Sequence, residues 1–100
     1  IISYNHTEEG KSLFYVDYII RMKNGQIFLF DTKTPGSDIE APQKHNALLQ
    51  YMRSDENAAL NLKGGVLIQQ GENWYYSEFE ITDTKDLTGW TAFHPDKFKD

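Results

Sequence analysis

The fold is decided by residues 16–34, VDYIIRMKNGQIFLFDTKT, in which two apolar segments flank an Asn-Gly pair. The β-branched and aromatic residues predict a long strand over 12–22 and a return strand over 26–34. An Asn-Gly pair between two such segments is the strongest short-range signal of a β-hairpin. The charged side chains inside the two strands all occupy odd positions, and they are Asp17, Arg21, Asp31 and Lys33.

The length of the hairpin loop sets which residues face each other, and two loops are open to this sequence. A two-residue Asn24-Gly25 loop mixes odd with even positions across the strands. A three-residue loop over 23–25, with Gly25 in the left-handed region, pairs Asp17 with Asp31. We predict the three-residue loop, because it alone keeps the charged side chains on one face and the apolar ones on the other.

Further elements follow from local patterns along the chain. A short strand is predicted over 1–6 and a polar turn over 7–11. Helical spacing of apolar residues predicts a helix over 42–53, begun by a capping box of Ser37 and Glu40. The remaining expectations are a Gly64-Gly65 turn, strands over 66–70 and 74–81, and an irregular segment over 82–100 anchored by Trp90 and Phe93. The expected class is therefore α/β (α+β), a mixed sheet with a central hairpin followed by a helix packed on it.

Length and composition bound the function classes. A chain of 100 residues fits one domain, and its net charge of −5 argues against a free-standing nucleic-acid binder. The absence of cysteine excludes disulfides and thiolate metal sites and suits a cytoplasmic protein. No apolar run approaches the roughly 18 residues of a membrane span. The chain begins Ile1-Ile2 without an initiator Met, so we expect a fragment of a larger protein.

The charged face of the hairpin suggests a chemistry. Two carboxylates opposite each other on neighbouring strands repel, and a divalent cation between them removes that cost. Lys33, two residues beyond Asp31, places a positive charge beside the same spot, where it could orient a water or stabilise a phosphate. This arrangement favours metal-assisted phosphodiester hydrolysis. The alternative is a solvated edge of an antiparallel sheet, which also carries charges of both signs.

The same residues resemble the core of the PD-(D/E)xK nuclease superfamily, with Asp17 as the first acid and Asp31-Thr32-Lys33 as the second motif. The closest likeness is to the C-terminal endonuclease domain of type III restriction enzyme and DEAD/DEAH helicase subunits. The segments GGVLI and NWYY also resemble later strands of that group, and the likeness covers roughly residues 12–76. A matching helix pattern is present as Lys44, Ala47, Leu48 and Tyr51.

The resemblance implies a Mg²⁺-dependent DNA endonuclease domain, with Mn²⁺ as a substitute metal. Asp17, Asp31 and the main-chain carbonyl of Thr32 would bind the metal, and Lys33 would position the attacking water. Lys44 or Gln43 would reach the site or the DNA backbone from the start of the helix. The implied partners are DNA, ATP-dependent helicase or restriction domains in the same polypeptide and a methyltransferase subunit, with no membrane partner.

A second hypothesis rests on one departure from the family pattern and on the charge distribution. No helix bearing an acidic residue precedes the first strand, and the acidic residues lie mostly in the second half of the chain. Val16 stands where the signature has proline, which is a common and minor departure. A catalytically inactive module of the same fold, used for DNA or protein docking, is therefore the alternative function. Two other features are assigned to the core: His45, on the apolar stripe of the helix, and the run Trp74-Tyr75-Tyr76, which a base-stacking role would also suit.

Overall fold

A computed structural model describes residues 2–6, 10–14, 16–33 and 38–94 of the chain. The first four strands are β1 (Ile2–His6), β2 (Gly10–Phe14), β3 (Tyr18–Arg21) and β4 (Ile27–Lys33). Helix α1 (Ala41–Arg53) and a short 3₁₀ turn (Ala58–Leu60) follow. The last three described strands are β5 (Leu62–Gln70), β6 (Asn73–Tyr76) and β7 (Thr91–Phe93).

The strands form two sheets. β1 and β2 make an antiparallel pair, and the other five form a sheet in the order β3-β4-β5-β6-β7. Neighbouring strands of the larger sheet are antiparallel except β4 and β5, which are parallel and are connected through α1. A mixed five-stranded sheet with one helix packed on it confirms the expected α+β class at this coarse level.

The predicted hairpin register is confirmed for β3 and β4. Tyr18 pairs with Phe30 and Arg21 pairs with Ile27, as the three-residue loop requires. The Met22 N–H donates to the Gln26 carbonyl at 2.7 Å, which closes the loop over 23–25. Gly25 adopts a φ of +92°, a backbone conformation that L side chains rarely adopt.

The predicted long strand over 12–22 is wrong, because the chain leaves one sheet and enters another near Asp17. β2 ends at Phe14 and pairs with β1, whereas β3 starts only at Tyr18. The Asp17 N–H donates to the carbonyl of Phe30 at 3.0 Å, although the register of the two strands pairs Phe30 with Tyr18. Asp17 therefore lies just beyond the paired residues, and the direct pairing of Asp17 with Asp31 is not formed.

β4 carries a core on each of its faces. On one face, Leu29 packs with the stripe Leu48, Leu49 and Met52 of α1, as helical spacing predicts. On the other face, buried residues from several strands pack together, and they are Phe28, Phe30, Leu67, Tyr76 and Phe93. The rings of Phe30 and Phe93 lie 4.7 Å apart between centroids. Alternation along one strand thus supplies both layers of the domain.

Gly64 and Gly65 were expected to form a turn, and this prediction is wrong, because both lie inside β5. A Cβ on Gly64 would lie 2.0 Å from the Leu29 carbonyl oxygen of β4. A Cβ on Gly65 would lie 2.4 Å from Cε1 of His45 on α1. The two residues have φ values of +130° and +136°. Glycine is needed here because β5 approaches the β4 backbone at Gly64 and the His45 ring at Gly65 more closely than any side chain allows.

His45 is a core residue, as predicted, and it joins three parts of the fold. The ring is fully buried, and its Nδ1 accepts a hydrogen bond from the Val66 N–H at 3.0 Å. Its Nε2 therefore carries the proton and donates to the Phe79 carbonyl at 2.9 Å. Trp90 stacks on the ring at 6.0 Å between centroids. Burial lowers the pKa of His45, so the neutral form is the one that the fold holds.

The remaining boundaries correct the sequence-based ones in detail. β6 ends at Tyr76, so the predicted strand over 74–81 is too long. β7 pairs with β6 inside the segment expected to be irregular, while Trp90 and Phe93 serve as the expected anchors. α1 begins at Ala41, where the Glu40 side chain makes no cap hydrogen bond, and Ser37 of the predicted capping box lies outside the described residues. No described helix is long and apolar enough to cross a membrane.

We expect Gly65→Ala to destabilise the domain more than Gly71→Ala. Both residues have positive φ, so each substitution carries backbone strain of about 1–2 kcal/mol. Gly71 has open space around its Cα, whereas a Cβ on Gly65 overlaps the His45 ring, which adds overpacking of about 1–3 kcal/mol. Urea denaturation of both variants measures the difference. Equal losses of unfolding free energy would contradict the close contact of β5 with His45.

Candidate active site

Asp31 is the buried member of the predicted site. It lies near the end of β4 with only 4% of its surface exposed. Its Oδ2 lies 3.4 Å from Lys33 Nζ, an ion-pair distance, but no hydrogen bond reaches this atom within the described residues. Burial raises the pKa of Asp31, Lys33 opposes that effect, and the negative charge of Asp17 adds to it. Asp31 is thus a desolvated carboxylate whose Oδ2 accepts no hydrogen bond within the described residues.

Asp17 reaches the same region from just before the first residue of β3, although it is exposed to solvent. Its Oδ2 accepts hydrogen bonds from the N–H and the hydroxyl of Thr32, both at 2.9 Å. Partial burial acts to raise the pKa of Asp17, but the two bonds from Thr32, together with Asp31 and Lys33, outweigh it, so the pKa is lowered. The two carboxylates therefore titrate apart, with Asp17 ionised more readily than Asp31.

Thr32 connects the two acids through its backbone. Within a strand, the N–H and C=O of one residue point toward the same neighbouring strand. Because the Thr32 N–H donates to Asp17, its carbonyl oxygen points toward that side as well. β3 has no residue paired with Thr32, so this carbonyl lies where the ladder has ended. The Thr32 carbonyl and the Asp17 carboxylate thus lie on the same side of β4, at the open end of the hairpin.

Lys33 belongs to a chain of alternating charges that the sequence did not reveal. Its Nζ lies 3.4 Å from Asp31 Oδ2 and 3.4 Å from Asp38 Oδ2. Lys44 Nζ lies 2.9 Å from the same Asp38 oxygen. The other oxygen of Asp38 accepts the Glu40 N–H at 2.9 Å, which holds the carboxylate at the start of α1. Asp38 therefore positions Lys33 beside Asp31.

Asp38 was missed as a site residue, although a local signal existed. An aspartate in a turn commonly accepts the backbone N–H of the residue two positions on, as an Asx turn. That signal explains the bond to Glu40, but the contacts with Lys33 and Lys44 depend on tertiary structure. Burial acts to raise the pKa of Asp38, and its bonds to Lys44 and Glu40 reverse the effect, so the pKa is lowered.

The two helix residues proposed for DNA contact take different positions. Lys44 reaches the predicted site indirectly, through Asp38. Gln43 is half-buried, and its Oε1 lacks a hydrogen-bond partner among the described residues. No contact of the described structure brings Gln43 to Asp17, Asp31 or Lys33, so its role stays a prediction.

The oxygen atoms of Asp17 and Asp31 are of the kind that bind hard divalent cations. Within the described ranges no group of three or more His, Cys, Asp or Glu side chains is placed to hold a metal. Hard cations of the Mg²⁺ type need only one or two protein carboxylates and keep several waters. A buried carboxylate oxygen without a hydrogen bond, beside a second carboxylate, suits such an ion. The residues present therefore fit Mg²⁺ or Mn²⁺.

Comparison of this chain with protein-family models, with curated proteins and with solved structures finds no match in any of the three.

We expect Asp31→Asn to stabilise the domain at neutral pH by about 1 kcal/mol, since it removes a buried charge and keeps the side-chain shape. The native pKa of Asp31 lies above its ordinary value of 3.8, so the native state binds the proton more tightly than the unfolded state. The wild-type contribution to stability is full below pH 3.8 and falls as pH rises through the native pKa. The advantage of Asn should therefore disappear in acid.

Thermal unfolding from acid to neutral pH measures this difference. Asp55→Asn, at an exposed turn, is the matched control and should change the melting temperature little at any pH. A variant that is less stable than wild type at neutral pH would show that the ion pair with Lys33 outweighs the desolvation of Asp31.

Proposed function

We propose that this chain is a Mg²⁺-dependent DNA endonuclease domain of the PD-(D/E)xK type. The observation that carries the proposal is the buried Oδ2 of Asp31, which has no hydrogen bond within the described residues and lies near Lys33 and Asp17. Lys33 is close enough to form an ion pair with this oxygen. A buried carboxylate that is short of hydrogen bonds and lies near a second carboxylate is also suited to a divalent cation of the Mg²⁺ type, which needs only one or two protein carboxylates.

Each residue has a defined part in phosphodiester hydrolysis. Asp17, Asp31 and the Thr32 carbonyl would hold the cation, which supplies Lewis-acid stabilisation of the phosphate and a more acidic water. Lys33 lies beside Asp31, where its ammonium orients the attacking water and balances the charge that develops on the phosphate. The Thr32 hydroxyl and N–H keep Asp17 ionised and oriented. Asp38 holds Lys33 close to Asp31 while Lys44 balances the charge of Asp38.

The larger setting of the domain is part of the same proposal. An acidic chain of this size gains little affinity for DNA from its own net charge of −5. ATP-dependent helicase or restriction domains of the same polypeptide would supply that affinity in the cytoplasm, together with a methyltransferase subunit.

A docking module without catalysis is the second candidate, and the charge chain favours it. Lys33 already lies between Asp31 and Asp38, and Lys44 completes the pairing of Asp38. Such a chain balances its own charges without a metal. A measurement of metal binding therefore distinguishes the nuclease from the docking module.

We expect Asp31→Asn and Lys33→Ala each to reduce DNA cleavage by at least about 100-fold, the typical effect of removing one preorganised electrostatic group. Lys63→Ala, at an exposed lysine of β5, should retain wild-type cleavage and serves as the control. Cleavage of plasmid and single-stranded DNA with Mg²⁺ measures the rates, and circular dichroism checks the fold. Full cutting by both site variants would reject the nuclease.

Mn²⁺ or Mg²⁺ should raise the melting temperature of the chain, because a ligand that binds only the native state stabilises it. Asp17→Asn should remove most of this shift, since Asp17 is one of two carboxylate ligands. The matched control, Asp86→Asn, changes an exposed aspartate in the loop before β7 and should leave the shift intact. A thermal-shift titration without any metal response would favour the docking module.

A further inference from the structure

A cavity of about 300 Å³ lies on the face of the sheet opposite α1. Its wall spans all five strands and is mostly apolar. Four of the lining residues are aromatic, and they are Tyr18, Phe30, Trp74 and Phe93. A mostly apolar cavity near this size lies at the small end of the range for small-molecule sites.

The aromatic rings differ in exposure across the cavity. Phe30 and Phe93 are buried and form part of the floor, whereas Tyr18 is 56% exposed and Trp74 is half-buried. Tyr76, two residues after Trp74, is only 5% exposed and belongs to the core. The aromatic run of β6 thus divides between two roles, because only part of it is needed for packing. Tyr18 and Trp74 present ring surface that the core does not use.

Thr32 joins the cavity to the candidate active site. It lines the cavity, and its hydroxyl donates to Asp17 Oδ2 at 2.9 Å. The cavity and the carboxylate therefore share one residue at the open end of the hairpin. Asp31 lies next in sequence, with its side chain on the other face of the strand. A ligand in the cavity would lie next to the site, on the opposite side of the sheet edge.

We propose that this cavity binds one unstacked nucleobase of single-stranded DNA, from a nucleotide that flanks the cleaved bond. The proposal rests on the proposed nuclease function and names its substrate class. A flat aromatic ligand can stack on the accessible rings of Tyr18 and Trp74, above the buried Phe30 and Phe93. Base–aromatic stacking contributes about 1–3 kcal/mol per base. A base inside a duplex cannot enter such a cavity without being extruded, which costs a few kcal/mol. The cavity therefore favours unpaired DNA.

Because the chain is acidic, stacking rather than phosphate contact has to supply the affinity for DNA. A net charge of −5 opposes a mode of binding that relies on many phosphate contacts. Stacking in an apolar cavity depends little on salt, since it neutralises no phosphate. Few polar groups line the cavity, so the bound base should be selected for being unpaired rather than for its identity.

Tryptophan fluorescence tests the cavity directly, because the chain has two tryptophans and only Trp74 lines the cavity. Trp90 stacks on His45 and is replaced by Phe in the reporter variant Trp90→Phe. Oligothymidylate is titrated into this variant with EDTA present, so that no cleavage occurs. We expect saturable quenching by the single strand, and none by an abasic oligonucleotide of equal length or by a duplex.

Substitutions at Tyr18 then locate the base. In the same reporter, Tyr18→Ala should weaken binding at least about fivefold, the lower end of the stacking range, while Tyr18→Phe should retain it. Tyr51→Ala is the matched control, since Tyr51 is also an exposed tyrosine but lies on α1 across the sheet. The abasic comparison needs no substitution at Tyr18 and decides the question even where Tyr18→Ala fails to fold.

Equal quenching by the abasic strand, or no quenching by any single strand, would overturn the base-binding cavity. The reporter combined with Asp31→Asn separates this result from the nuclease itself. Quenching that persists in that variant, in which cleavage is lost, supports both proposals. Base-dependent quenching by a protein that never cleaves DNA would reject the nuclease and leave the cavity as a single-strand binding site. Cleavage of DNA without base-dependent quenching would reject the base-binding cavity and leave the nuclease proposal standing.

Discussion

The close contact between β5 and the His45 ring is the constraint on which the rest of the structure depends. The ring lies where a side chain on Gly65 would otherwise be, and it accepts the N–H of Val66. Its other nitrogen donates to Phe79 in the loop after β6. One neutral imidazole thus ties helix, sheet and loop together without any buried charge. Because α1 is held at this distance, Asp38, just before the helix, lies beside Lys33 at the end of β4, and Lys44 of the helix pairs with Asp38.

β4 concentrates the stabilising and destabilising features of the domain in seven residues. Its alternating side chains supply Leu29 to the helix layer, and Phe28 and Phe30 to the opposite core. Immediately after them, Asp31 is buried as a carboxylate with a raised pKa. Such a group lowers stability at neutral pH, and a buried carboxylate with a shifted pKa beside a specific charge partner is typical of functional sites. A strand buried on both sides is also rigid enough to hold these groups in place.

The site was predicted in part, and the limit of the prediction is physical. Face alternation and the Asn-Gly turn were enough for the register, and they place Asp31 and Lys33 on one strand two residues apart. They do not predict where the pairing of β3 with β4 ends. At that point the Asp17 carboxylate accepts the Thr32 N–H, which a longer β3 would have bonded through its backbone. Asp38 was missed because its contacts with Lys33 and Lys44 depend on how the start of the helix meets the end of the strand, although both partners are close in the chain.

By itself, the sequence determined the hairpin, the apolar stripe of α1, the core role of His45 and the anchoring roles of Trp90 and Phe93. These features depend on local periodicity and turn chemistry, which a short window of residues contains. Only the tertiary structure decided that Gly64 and Gly65 lie within a strand and that the chain changes sheets near Asp17. It also decided that Tyr18 and Trp74 share a cavity. These features depend on contacts between segments distant in the chain, where steric space and unsatisfied hydrogen bonds outweigh local preference.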